Sequence, residues 1–258
     1  MKRGEEIMIL QVEGLHKSFG GVIAVKNCSF QVEEKSITAL IGPNGAGKTT
    51  VFNVITGFMK QEQGRILWKG RDITFLLPHQ RAQQGITRTF QTIRLFPKMS
   101  VMENMLIASP NVYEKVYHVF LKNKKMREQE RMNREEALKI LERVGLKKLQ
   151  NEKAGNLSYG QQKLLEIARA MYKEPVLLML DEPAAGVNPS MLKKIRELLL
   201  ELKKKGTTIL FIEHDMEFVM NIADKIIVLD YGEEIAIGKP GEIRKNKRVI
   251  DAYLGGDV

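Results

Sequence analysis

The eight residues Gly42-Pro43-Asn44-Gly45-Ala46-Gly47-Lys48-Thr49 constrain this chain more than any other stretch. They spell G-x-x-x-x-G-K-T, follow the apolar run Ile37-Thr38-Ala39-Leu40-Ile41, and lead into the helix-like Thr50-Val51-Phe52-Asn53-Val54-Ile55-Thr56. Strand, glycine-rich loop and helix are the setting in which this pattern binds phosphate. The glycines let backbone N–H groups turn inward and approach a polyanion closely. The helix then points its positive N-terminal end at the same place. Lys48 is placed to reach the β- and γ-phosphates, and Thr49 has a hydroxyl to offer Mg²⁺. The expected nucleotide cradle is Gly42, Pro43, Asn44, Gly45, Ala46, Gly47, Lys48, Thr49 and Thr50. The loop announces a nucleotide without saying which machine uses it.

At 258 residues, 43% apolar and 28% charged, the chain has the makings of one large domain or two small ones. A single cysteine, Cys28, excludes an internal disulfide and fits a reducing compartment. Its place in the strand-like Cys28-Ser29-Phe30-Gln31-Val32 makes it a small apolar residue. Met1 to Glu6 is polar, so no secretory leader is expected, and no apolar run approaches a membrane span. The net charge of +10 divides unevenly: +7 over residues 1–99, +4 over 100–156 and −1 over 157–258. A basic surface admits nucleic acid as a partner. No nucleic-acid motif is present, and no nucleic acid is expected.

Residues 8–13 and 27–34 alternate apolar and polar side chains and read as strands. Residues 64–73 read as a hairpin turning at Lys69-Gly70. From 100 to 156 strand signals vanish. Residues 124–144 have helical periodicity, with Met126, Met132, Ala137, Leu138, Leu141 and Val144 apolar and Gly145 a stop. From 157 onward helices at 161–173, 190–205 and 216–222 alternate with strands at 176–180, 207–212 and 225–230, and a further strand follows at 233–237. That alternation argues for a parallel sheet of βα units. Three regions follow: a nucleotide-binding core over 1–99, a helical insert over 100–156, and a return to the core over 157–258.

Val176-Leu177-Leu178-Met179-Leu180-Asp181-Glu182 reads as a buried strand ending in two acids. The carboxyl end of such a strand lies where ligands collect. Asp181 is expected to hold the Mg²⁺ shell, and Glu182 to polarise a water against the γ-phosphate. Leu157-Ser158-Tyr159-Gly160-Gln161-Gln162 precedes an amphipathic helix that Ser158 is able to cap, leaving N–H groups for an anion.

Here the sequence resembles the ATP-binding cassette (ABC) ATPases, which carry Leu-Ser-Gly-Gly-Gln about twenty residues before the Walker B acid. Gly160 lies 21 residues before Asp181. Ser158, Gly160 and Gln161 match, and Tyr159 replaces the first glycine. The resemblance implies an α/β phosphate-loop NTPase core with a mixed, mainly parallel sheet, an N-terminal antiparallel β part and an inserted helical subdomain. It further implies that Gln91, after Thr87-Arg88-Thr89-Phe90, touches Mg²⁺ and the attacking water, that His214 stands near the γ-phosphate, and that Phe19 stacks on adenine. Asn188 stands where the family usually has Asp, in Ala184-Ala185-Gly186-Val187-Asn188. Catalysis then rests on Glu182, His214, Gln91 and Lys48, metal binding on Thr49, Gln91 and Asp181, and the cofactors are ATP and Mg²⁺.

The runs Arg88-Thr89-Phe90-Gln91, Arg94-Leu95-Phe96, Ser100-Val101-Met102-Glu103-Asn104 and Asp181 to Pro189 resemble one branch in particular. So does the ending Val249-Ile250-Asp251-Ala252-Tyr253-Leu254-Gly255. That branch is the ATPase of branched-chain amino-acid importers. The resemblance implies a head-to-tail dimer, with a second copy in vitro or a sister ATPase in the assembled importer. It also implies membrane permease subunits, a solute-binding protein acting at one remove, and a place in the cytoplasm on the inner face of the cell membrane. Charge alone would not hold the chain there: Arg244, Lys245, Lys247 and Arg248 contribute about 4 kcal/mol, roughly millimolar affinity. Three alternatives remain: an ATPase for another transported substrate such as lipid, a nucleic-acid ABC ATPase, and a nucleotide-binding module that does not hydrolyse. The short, cysteine-free interval between loop and signature speaks against the second. The presence of both Glu182 and His214 speaks against the third.

Overall fold

Alternating apolar and polar side chains carry β1 (Met8–Phe19) and β2 (Val22–Glu33) into one long antiparallel hairpin. The structure, a computed structural model, describes residues 7–109 and 124–254, without the side chains of 124–126 and 254; the Met126 side chain and Gly255 of the sequence reading therefore lie outside what is described. Both strands run further than 8–13 and 27–34. Register shifts between Val12 and Leu15 and on both sides of Lys17, with Gly14 at φ 58°, break the alternation without ending the pairing. Such bulges conceal a strand from a period-two reading. β4 (Gln63–Trp68) pairs with β1, and β5 (Arg71–Asp72) closes a sheet of order β2-β1-β4-β5. Its last hairpin turns at Lys69 and Gly70, at φ 49° and 74°. These are the two left-handed residues that a tight turn between twisted strands requires.

The second sheet has the order β10-β9-β3-β8-β7-β6. It comprises β3 (Ile37–Ile41), β6 (Ile86–Arg88), β7 (Leu177–Asp181), β8 (Thr208–Ile212), β9 (Lys225–Asp230) and β10 (Glu233–Gly238). Only β9 and β10 pair antiparallel. β3, β7 and β8 are buried at every position, which is why each reads as a continuous apolar run. β6 is three residues long and gave no strand signal. The phosphate loop leaves β3 and enters α1 (Lys48–Ile55). Leu10, Val12 and Trp68 of the first sheet join Leu40, Met179 and Leu210 of the second and Phe52 of α1 in one core.

The chain divides into two compact units. One takes the residues up to Arg88, Val176–Ala185 and the chain from Leu199 onward; the other takes Thr89–Pro175 and Gly186–Leu198. The first holds both sheets, α1, α2 (Pro78–Gln83), α7 (Met216–Ile222), α8 (Pro240–Ile243) and α9 (Lys247–Leu254). The second is helical among its described residues. In it, α3 (Val101–Ile107), α4 (Lys124–Arg143) and α5 (Tyr159–Met171) pack together, and Met102, Met105, Ala137, Leu141, Leu164 and Leu165 on them are buried. α6 (Pro189–Lys204) starts in the second unit and ends in the first.

The last carbonyls of α1 need partners that the helix cannot supply itself. Arg81 on α2 provides them. Its guanidinium donates to the carbonyls of Val54 and Ile55 at 2.7 Å each, to Thr74 O at 2.7 Å and to Leu76 O at 2.9 Å. Burial pulls its pKa down to about 10. Truncation to methionine leaves several buried carbonyls unpaired. Arg81→Met is expected to cost about 3 kcal/mol, seen as a melting temperature roughly 6–12 °C lower. A variant that melts with the wild type would show that the guanidinium is not what holds this end of α1.

Candidate active site

The phosphate loop is shaped by close backbone approach. Gly42 has φ 151°, and a β-carbon there would meet Leu229 O at 2.1 Å; Gly47 has φ 92°, and a β-carbon there would meet Ala24 O at 2.3 Å. Both collisions are with backbone, so neither is relieved by a rotamer change. Gly47 is also the residue before the first turn of α1, so the donor end of the helix opens directly onto the loop. Lys48 is buried, and its ammonium donates to Gly42 O at 2.7 Å and Pro43 O at 2.8 Å. Burial lowers its pKa, and the nearby Glu182 and Asp181 oppose that shift. Asn44, Gly45 and Thr49 are exposed, and Pro43 and Thr50 are half-buried.

β7 ends on Asp181, 2% exposed, and the chain then turns sharply. Glu182 sits at φ 51°, a left-handed conformation costly for a residue with a side chain. The Glu182 N–H donates to Ile212 O at 3.0 Å, so the turn is tied to the end of β8. Two residues past β8, His214 places Nε2 3.1 Å from Glu182 Oε1. Between β8 and His214 stands Glu213, which sequence reasoning missed. It is buried and accepts N–H bonds from Ala184 at 2.6 Å and His214 at 3.0 Å, bracing both sides of the Glu182–His214 pair. Desolvation raises its pKa, against the pull of those N–H groups. Its position beside His214 was the only signal.

Phe19 ends β1 and is 45% exposed, and Lys17 Nζ lies over its ring, 5.3 Å from the centroid. The ring is open to a stacking partner. Tyr253 on α9 brings its hydroxyl to the Gly42 backbone; burial pushes its pKa up to about 12, and the Gly42 hydrogen bond opposes this. Cys28 is buried on β2, and burial pushes its thiol up to about 12, as fits a packing residue.

The other expected site residues belong to the helical unit. Gln91 is exposed, and its carbonyl accepts a bond from Lys163 Nζ at 3.4 Å. The following segment is anchored by Arg94, whose guanidinium lies 3.6 Å from the Phe90 ring centroid. Ser158 caps α5 in a reciprocal box with Gln161: Gln161 N–H donates to Ser158 Oγ at 3.4 Å, and Ser158 N–H to Gln161 Oε1 at 2.9 Å. Gly160 is needed for space, since a β-carbon would come within 2.7 Å of Met191 Cγ. Tyr159, where the signature has glycine, is 47% exposed, and a β-carbon on Gly186 would lie 3.2 Å from its ring. Asn188 caps α6, accepting from Met191 N–H and from Ser190 Oγ, both at 2.9 Å. An aspartate would make the same cap, so the departure at 188 removes charge and keeps the local structure.

Oxygen is the only donor type that Thr49 and Asp181 supply. Mg²⁺ prefers oxygen, and it is usually held by one or two carboxylates with water and phosphate completing the shell. The donor set therefore fits that ion. A phosphate cradle after a parallel strand, a lysine inside it, and a histidine and an acid paired at the ends of the next two strands define a nucleoside-triphosphate hydrolase of the phosphate-loop class.

A family model described as ABC transporter matches residues 25–185, and one described as branched-chain amino acid ATP-binding cassette transporter matches residues 233–258. The high-affinity branched-chain amino acid transport ATP-binding protein LivG of Salmonella typhimurium is 48% identical over 249 residues, covering 96% of this chain and 98% of that protein. The crystal structure of an ATP-binding cassette of an ABC transporter in its ADP conformation superposes with a TM-score of 0.84 at 40% identity, covering 96% of this chain and 99% of that one. A bacterial ABC transporter cassette solved as a dimer gives 0.75 at 25% identity, covering 90% and 99%. The chain belongs to the ABC transporter family, as an ATP-hydrolysing, ATP-binding cassette. Among the described residues no helix is long and apolar enough to cross a membrane.

Proposed function

We propose that this chain is the ATPase of an importer for branched-chain amino acids. The observation that supports this most is the span of the likeness: 48% identity extends over 96% of the chain, and the separate stretch 233–258 matches the branched-chain model. ATP sits on the Gly42–Thr50 loop with its adenine against Phe19. Thr49 and Asp181 would hold Mg²⁺, with Gln91 as the further ligand that the family likeness implies, and the ion would supply positive charge against the phosphates. Lys48 holds the γ-phosphate, Glu182 takes the proton of the attacking water, and His214 orients Glu182 and the phosphate.

Ser158, Gly160 and Gln161 complete the site of a second cassette, so two cassettes close on two ATP molecules and reopen after hydrolysis. The partner is a second copy in vitro and a sister ATPase in the assembled importer. The segment after Gln91 and the helical insert dock on permease subunits at the cytoplasmic face of the membrane, and a solute-binding protein delivers the amino acid from the other side. Energy enters as ATP's preference for the closed pair.

Two measurements test this. Light scattering on Glu182→Gln is expected to show a dimer with MgATP and a monomer without it. A monomer in both conditions overturns self-pairing. Deleting the gene from its host is expected to abolish high-affinity uptake of labelled leucine, isoleucine and valine. Unchanged uptake of all three would remove the branched-chain assignment and leave the ATPase assignment standing.

A further inference from the structure

Thr49 and Asp181 come from different elements, the start of α1 and the end of β7. Something has to hold those elements in register if two oxygens are to meet one small ion. Arg88, the last residue of β6, lies beside β7, with Arg88 opposite Met179. Its side chain is 5% exposed. Nη2 donates to Asp181 Oδ2 at 2.8 Å, and Nη1 donates to Asn53 Oδ1 at 2.6 Å and to Thr56 Oγ1 at 3.3 Å. The guanidinium carbon lies 5.7 Å from the centroid of the Phe52 ring. Phe52 and Asn53 lie on α1, and Thr56 ends it.

One planar fork thus grips both the helix that presents Thr49 and the carboxylate of Asp181. A buried ion pair is weak evidence of a stabilising role, because desolvation offsets much of the attraction. The geometry points instead to orientation. Nη2 reaches Asp181 Oδ2 while Nη1 reaches Asn53 on α1, so one rigid group spans the carboxylate and the helix.

We propose that Arg88 is a positioning residue for the metal: it sets the Asp181 carboxylate against α1 so that Asp181 and Thr49 face one Mg²⁺. This rests on the reading of Asp181 as a Mg²⁺ ligand. Lysine cannot replace it fully, because an ammonium lacks the rigid pair of donors that reaches both Asn53 and Asp181.

The test uses the intact chain and a fluorescent ATP analogue, titrated first in EDTA and then across Mg²⁺ concentrations. Removing a partner that orients a metal ligand typically costs 10–100-fold in metal affinity. Arg88→Met is therefore expected to raise the half-saturating Mg²⁺ concentration about tenfold or more while shifting affinity in EDTA by less than about threefold. Arg88→Lys, which keeps the charge and loses the fork, is expected to fall between. If Arg88→Met does not fold, as melting will reveal, Arg88→Lys decides the matter alone. Parallel loss of both affinities would mean a merely structural role, and an unshifted Mg²⁺ titration would overturn the proposal. Asp181→Asn separates the two readings. If it leaves the Mg²⁺ requirement unchanged, the metal-ligand reading fails; if it shifts that requirement and Arg88→Lys does not, only the role of Arg88 fails.

Discussion

Glu182→Gln is expected to cut ATP turnover by about 10²–10⁴-fold, the scale of a lost general base, while ATP affinity changes by less than about threefold. The amide keeps the size and one acceptor of the carboxylate but cannot take a proton from water. The fold should be indifferent to the change. The strain at φ 51° belongs to the backbone, and glutamine meets it as glutamate does. Contact with His214 Nε2, 3.1 Å away, survives through the amide. Glu213 is the rival acid, but it is 2% exposed and already occupied by backbone N–H groups, so it is poorly placed to meet a water. Single-turnover hydrolysis with a parallel nucleotide titration distinguishes the outcomes. Undiminished hydrolysis would remove Glu182 as the base. A matched loss of affinity would make it a binding residue.

The parts of this site that could be read from the sequence are those where one residue type does one job at a fixed spacing. The phosphate loop is legible because Gly42 and Gly47 sit against backbone that no side chain could share. β7 is legible because every residue of Leu177–Asp181 is buried, leaving an apolar run that ends in an acid. Residues acting through partners distant in sequence were not legible. Arg88 lies 93 residues from Asp181 and 35 from Asn53, and no periodicity connects them. Arg81 serves carbonyls at Val54 and Ile55, and a carbonyl has no letter in a sequence. Glu213 acts on the backbone N–H groups of Ala184 and His214, and no spacing in the sequence marks that role. The fold shows the same division. Buried parallel strands announced themselves, whereas β6, three residues at a sheet edge, and the bulged halves of β1 and β2 did not.

Lys48→Ala is expected to weaken ATP binding about 10²–10³-fold, equivalent to two charge-assisted hydrogen bonds of roughly 1.5–3 kcal/mol each, partly recovered by water. Lys48 is the positive side chain at the centre of the loop, and two acids, Asp181 and Glu182, are close enough to act on it electrostatically. Without its ammonium, an incoming polyphosphate meets that pair of carboxylates with less to offset them. Lys48 is buried, and that burial lowers its pKa, so its ammonium is partly out of water. An ammonium already stripped of part of its hydration gives up less on meeting phosphate, so deletion should cost more than a surface lysine would. Its present bonds, to Gly42 O and Pro43 O, hold the side chain folded over the loop that will receive the phosphates. The variant should also melt slightly lower, since those two carbonyls lose their donor. Titration with a fluorescent ATP analogue measures the effect. Affinity within about threefold of wild type would mean that the backbone N–H groups and the helix end hold the phosphates alone, and that Lys48 serves only to keep the loop in shape.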